Sequence, residues 1–232
     1  MSSNLQWALN WDALAARFYL VAVEVWGHGQ SPAPEDPGAY ELQSYFNQFE
    51  AICEEQKIDR CYVCGQSYGA GIVIQYALEY PDRVAGVIAT NSRSAFASDM
   101  IERSGTRDLA YWQAQDLRKL PFHPCHAKRF PPDLHEQMIS AADRVEAKAL
   151  WLNTEITGPR LWCRDLVAEL KTPMLLTNGR YERSFQKDRD FLEASVALIE
   201  IADLDCGHSV NIEAAEGFNG AVIDFIARNQ TA

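Results

Sequence analysis

The pentapeptide Gly65-Gln66-Ser67-Tyr68-Gly69 restricts the folding of this chain more than any other feature. The apolar run Cys61-Tyr62-Val63-Cys64 before it reads as a strand, and Ala70-Gly71-Ile72-Val73-Ile74-Gln75-Tyr76-Ala77-Leu78 after it reads as a helix. A serine at the sharp turn between a strand and a helix takes strained backbone angles and projects its hydroxyl from the top of a sheet, the arrangement called a nucleophile elbow. Glycines two residues to either side are expected to let the strand and helix pack closely. G-x-S-x-G alone recurs by chance, and a turn of small residues would look the same, so the strand–turn–helix setting is what singles out Ser67.

Two further residues fall at strand ends downstream. Pro173-Met174-Leu175-Leu176-Thr177 reads as a short buried strand, and Asn178-Gly179-Arg180-Tyr181-Glu182 places an acid just beyond it. Val196-Ala197-Leu198-Ile199-Glu200-Ile201 reads as another strand, and the loop after it delivers Cys206-Gly207-His208. Serine, acid, histidine is a chain order different from those of the chymotrypsin and subtilisin folds.

With the elbow and this order, three segments carry a resemblance: Val21-Ala22-Val23-Glu24-Val25-Trp26-Gly27-His28-Gly29-Gln30-Ser31, Tyr80-Pro81-Asp82-Arg83-Val84, and the stretch from Gly207-His208 to Phe225-Ile226. The chain resembles the α/β-hydrolase superfamily, in the branch of esterases, lactonases and carbon–carbon bond hydrolases that carry a helical cap. The resemblance implies an α/β fold with a mostly parallel sheet, flanking helices and an inserted helical cap. It further implies Ser67 as nucleophile, His208 as base, Glu182 as the acid that orients His208, and the backbone N–H of Tyr68 as one donor to the oxyanion. The chemistry needs no metal and no organic cofactor. Asn91, just past the strand Val84–Thr90, occupies a place where some relatives put the acid; an amide cannot stabilise an imidazolium as a carboxylate does, so Glu182 is the better candidate.

The chain departs from the family pattern in two ways. Relatives carry an upstream strand ending in His-Gly, and the loop after it supplies the second oxyanion donor; here Met1-Ser2-Ser3-Asn4-Leu5-Gln6-Trp7 already looks like that loop. The resemblance therefore implies missing N-terminal strands, a gap between a strand at Tyr19–Val25 and one at Arg60–Cys64, and a recorded start internal to a longer chain. Two outcomes are expected for the gap: the strands on either side close up and pair, or the region stays loose. The second departure is Glu182 itself, where aspartate is commoner.

From about Arg93 to Asp165 strand alternation stops. Helix-like runs such as Asp133–Lys148 are punctuated by Pro121, Pro124, Pro131, Pro132 and Pro159. This gives the division expected for the chain: core 1–92, cap 93–165, core 166–232. Trp112, Trp151 and Trp162 in this stretch are candidate substrate-binding residues walling an apolar pocket over Ser67, and packing of cap on core is the competing role for each.

At 232 residues and 47% hydrophobic the chain can bury one core. No apolar run approaches the roughly 18 residues that cross a membrane. Asp12 and Arg17 interrupt the only apolar N-terminal stretch, so no signal peptide is read and a cytoplasmic location is expected. A net charge of −11 disfavours nucleic acid and anionic membrane as partners, leaving a small-molecule substrate. Cys61 and Cys64 have C-x-x-C spacing, but in a buried strand residues three apart point to opposite faces, so a shared metal is not expected. The remaining cysteines are scattered and read as reduced structural thiols. His28 reads as part of a turn, and His123, His126 and His135 have no acidic partner at metal-ligand spacing.

The leading expectation is a serine hydrolase of small, fairly apolar esters or lactones acting through an acyl-enzyme. A carbon–carbon bond hydrolase of the same fold and a truncated, non-catalytic ligand-binding derivative are the alternatives, because fold and triad do not fix the scissile bond.

Overall fold

The computed structural model describes residues 1–97 and 106–230. Four parallel strands form one sheet in the order β1 (Cys61–Gly65), β2 (Val84–Thr90), β3 (Met174–Gly179), β4 (Ile199–Leu204). The register runs Val63↔Val87 across the first pair, Ile88↔Leu175 across the second and Leu176↔Ile201 across the third. Parallel strands need crossover connections, which place helices on both faces and bury the inner strands. All six residues of β3 and six of the seven in β2 are accordingly buried.

Period-two alternation divides the core between the two faces. Val87, Ala89, Met174 and Leu176 point into one cluster with Ile74, Tyr76, Phe96 and Phe185, covered by α1 (Leu42–Gln56) and α2 (Tyr68–Glu79). Ile88 and Leu175 point into the other with Phe218, Val222 and Phe225. α2 is apolar almost all round, as a helix covered on one side by the sheet and on the other by the chain between β2 and β3 must be. It ends at Tyr80, ahead of Pro81, which cannot continue a helix.

Between β2 and β3 the described residues form helices and no strand: α3 (Leu109–Gln113), α4 (Pro132–Ala142) and α5 (Ala147–Leu152), then α6 (Gln186–Ser195) beyond β3 and α7 (Ala215–Asn229) after β4. The helix expected over Asp133–Lys148 is two helices separated at residues 143–146. α5 runs on into a π-helical turn, Asn153–Thr157. Leu134 and Met138 of α4 pack on Ile212, with Leu5 and Phe130 beside them, so this stretch is seated on the core. Among the described residues no helix is long and apolar enough to cross a membrane.

The strand expected at Tyr19–Val25 does not form. The segment pairs with no strand, and direct pairing with β1 does not occur, so β1 is an edge of the sheet. Tyr19 is 74% exposed, and Val21 and Val23 are exposed as well. The segment is held by its ends: Phe18 and Leu20 against one core cluster, Val25 and Trp26 against the other. The resemblance placed a strand here, but a strand also needs a neighbour. For the same reason Cys64, expected within a buried strand, is exposed on the edge.

Candidate active site

β1 ends at Gly65 and α2 begins at Tyr68, so only Gln66 and Ser67 are left to turn the chain, and Ser67 makes the sharp bend. It does so at φ 52°, ψ −110°, one of two non-glycine residues with positive φ among those described. A Cβ at Gly65 would overlap the backbone of Gly69 and Ala70, so glycine is required there. Gly69 corrects the symmetric expectation, because a Cβ there would meet open space. The Ser67 N–H donates to Thr90 Oγ1 (3.1 Å), tying the elbow to the end of β2.

The structure brings Ser67, His208 and Glu182 together. His208 Nδ1 donates to Glu182 Oε2 at 2.9 Å, and Ser67 Oγ donates to His208 Nε2 at 2.9 Å. An ionised carboxylate only accepts, so the imidazole proton belongs on Nδ1 and Nε2 is left to accept from the serine. Burial pushes the Glu182 carboxyl up, but the hydrogen bond and charge of His208, then the Asn91 hydrogen bond and the Arg93 charge, outweigh it and hold Glu182 below the ordinary value.

The loops carrying acid and imidazole are built against each other. Arg180 N–H donates to Leu204 O (3.0 Å) and Tyr181 N–H to Cys206 O (2.9 Å). A Cβ at Gly179 would overlap Gly207 O, so the two backbones touch. Gln186 Nε2 donates to Glu182 O (3.0 Å), holding the turn. The Glu213 carboxylate accepts from Gly207 N (2.8 Å) and Ser209 N (3.4 Å), bracketing His208. Arg129, from the helical stretch, pairs with Glu213 (3.3 Å) and lies over the Tyr181 ring.

Tyr68 is the first residue of α2, where backbone N–H groups have no intrahelical acceptor and the helix dipole is positive. Its phenol points the other way and donates to Asn153 O (3.0 Å). Asn153, 3% exposed, also accepts from Tyr45 OH and donates to Trp26 O and Ala149 O, joining elbow, α1, the Gly27 turn and α5 at one side chain. No local pattern in the sequence marks Asn153 or Glu213, because each works through groups that folding gathers.

The three tryptophans lie in the helical stretch, and each indole N–H is engaged within it: Trp112 with Glu155, Trp151 with the Arg107 carbonyl, Trp162 with Asp165. Trp112 is enclosed in a cluster with Val145 and Leu150, against which Trp151 packs, so Trp112 packs this stretch internally. Trp151 and Trp162 are half-buried. His28 Nδ1 donates to Trp26 O (3.1 Å) in a turn whose Gly27 and Gly29 both have positive φ. His123 Nε2 lies 3.4 Å from the Asp143 carboxylate. Among the described residues no group of three or more His, Cys, Asp or Glu is arranged to hold a metal.

A family profile described as the alpha/beta hydrolase fold matches residues 1–194. A putative 2-succinyl-6-hydroxy-2,4-cyclohexadiene-1-carboxylate synthase of Bacillus subtilis is 24% identical, over 89% of this chain and 80% of that protein. An esterase from Thermogutta terrifontis superposes with a TM-score of 0.81 at 16% identity, over 98% of this chain and 86% of the other. The enol-lactonase from Burkholderia xenovorans superposes with a TM-score of 0.76 at 21% identity, over 97% and 87%.

Proposed function

Since the chain belongs to the α/β-hydrolase fold family, we propose that it is a serine hydrolase cleaving small, fairly apolar esters or lactones through Ser67, His208 and Glu182. Homologous hydrolases support a hydrolytic activity in general. The observation that carries the finer reading is the unbroken chain of two 2.9 Å hydrogen bonds from Glu182 through His208 to a serine at φ 52°.

In this reading His208 Nε2 takes the Ser67 proton as Oγ attacks the acyl carbon. Glu182 keeps the ring oriented and stabilises the imidazolium, and His208 then protonates the leaving alkoxide. The Tyr68 N–H, at the positive end of α2, donates to the oxyanion. Water activated by His208 releases the acyl group. Residues 93–165 act as the cap, with Trp151 and Trp162 keeping indole surface that can meet a ligand. A carbon–carbon bond hydrolase is the second reading, because the triad does not fix the scissile bond and a 2-hydroxy-6-oxo-6-phenylhexa-2,4-dienoate hydrolase from Rhodococcus shares the fold.

Labelling with a fluorophosphonate tests the nucleophile, since only an activated serine reacts. Ser67→Ala is expected to keep the fold, lose labelling and lower p-nitrophenyl ester turnover by at least about 10³-fold. Labelling or turnover that survives in the purified variant removes Ser67 from the mechanism. An unlabelled wild-type chain makes the protein a non-catalytic binder. Turnover of a vinylogous diketone well above that of any ester selects the second reading.

A further inference from the structure

β2 lies inside the sheet, between β1 and β3, and its carboxyl end reaches both ends of the proposed triad. Thr90 accepts from the Ser67 N–H, and the next residue, Asn91, meets the acid. Asn91 is 0% exposed, and three hydrogen bonds fix its amide. Its Oδ1 accepts from Gly179 N (3.0 Å), its Nδ2 donates to Gly179 O (3.1 Å), and the same Nδ2 donates to Glu182 Oε2 (2.8 Å). The first two bonds fasten the side chain to the end of β3 as a peptide group would, so the amide cannot rotate. The third is then aimed by the first two.

Oε2 is also the oxygen that accepts from His208 Nδ1. One carboxylate oxygen therefore receives the imidazole from the loop after β4 and the amide from the end of β2. Two donors on one oxygen define a direction that neither sets alone. Glutamate needs this more than a shorter acid would, having one more rotatable bond to freeze.

We propose that Asn91 is the positioning residue of the acid: it fixes the Glu182 carboxylate so that Oε2 faces His208, and it acts on catalysis only through Glu182. The inference rests on the reading of Glu182 as the acid. The charged groups around Glu182 from the packed segments are His208 and Arg93, and neither is altered by substituting Asn91.

The test is a double-mutant cycle on ester turnover, with kcat and KM read separately. Asn91→Ala is expected to lower kcat by about 10- to 100-fold, the loss of one hydrogen bond to a charged group, with KM within about twofold. In a Glu182→Gln background the same substitution is expected to cost less than about twofold. Equal losses in both backgrounds, or a loss that falls on KM rather than kcat, make Asn91 a brace of the sheet and overturn the inference. If Asn91→Ala does not fold, Asn91→Ser, which keeps a polar group but is too short to bond Gly179 and Glu182 together, is read by the same cycle. A neutral Glu182→Gln overturns the acid assignment itself, whereas a damaging Glu182→Gln with no coupling overturns only the role of Asn91.

Discussion

His28 is held neutral by its surroundings: burial lowers its pKa to about 4, outweighing the opposing hydrogen bond to the Trp26 carbonyl and the charge of Glu24. In the unfolded chain an unperturbed histidine protonates near 6.5. Between about pH 6.5 and 4 the unfolded state therefore binds a proton that the folded state refuses, so stability falls as pH drops through that window. The expected loss is on the order of 2 kcal/mol from this residue, read as the difference in urea midpoints at pH 7 and pH 4.5. His28→Asn should flatten that slope, and an unchanged slope excludes His28 as its source. Residues acting through a local pattern were legible in the sequence. Ser67 announced itself by the turn it sits in, and Glu182 and His208 by following strands in a fixed order. Asn91 was visible as a strand-end residue, but its bond to Glu182 was not, because the two lie 91 positions apart and meet only when β2 and β3 pair. Glu213 was invisible for another reason: its partners are main-chain N–H groups, which no sequence pattern distinguishes.

The segment Tyr19–Val25 shows the limit of reading an element from a family resemblance. Like β2 it is a mostly apolar run, yet β2 has partners on both sides and this segment has none. Hydrogen exchange separates the two cases, because an amide in a paired interior strand opens only with large-scale unfolding. The amides of residues 19–23 are expected to exchange orders of magnitude faster than those of Val87–Thr90 and Met174–Thr177. Comparable protection would mean that the segment is paired in solution. At the other extreme, the helical stretch between β2 and β3 was legible as helical but not in its breaks. The π turn Asn153–Thr157 follows α5 without a proline or glycine inside it. At its first residue Asn153 takes bonds from Tyr45 and Tyr68 while giving its own to Trp26 and Ala149. Tertiary contacts thus set this turn, and propensity does not reveal them.

At the scale of the whole molecule, sheet and helical stretch meet over the site at Arg129. Its guanidinium pairs with Glu213, which brackets His208, and covers Tyr181, the neighbour of Glu182. An ion pair this exposed contributes less than about 1 kcal/mol, so Arg129→Gln should hardly move the urea midpoint. It is nevertheless expected to lower ester kcat by about 3- to 10-fold, because both loops lose the same external contact. A fall in kcat matched by an equal fall in stability, or no fall at all, would make Arg129 a surface residue. Beneath that contact, Gly179 and Gly207 leave no room for a side chain between the acid loop and the histidine loop. Neither loop can lengthen or bulge without displacing the other, so variation that keeps both cannot be written there. Descendants of this sequence that acquire new substrates are therefore channelled toward changes in the helical stretch, where insertions leave the Gly179–Gly207 contact untouched.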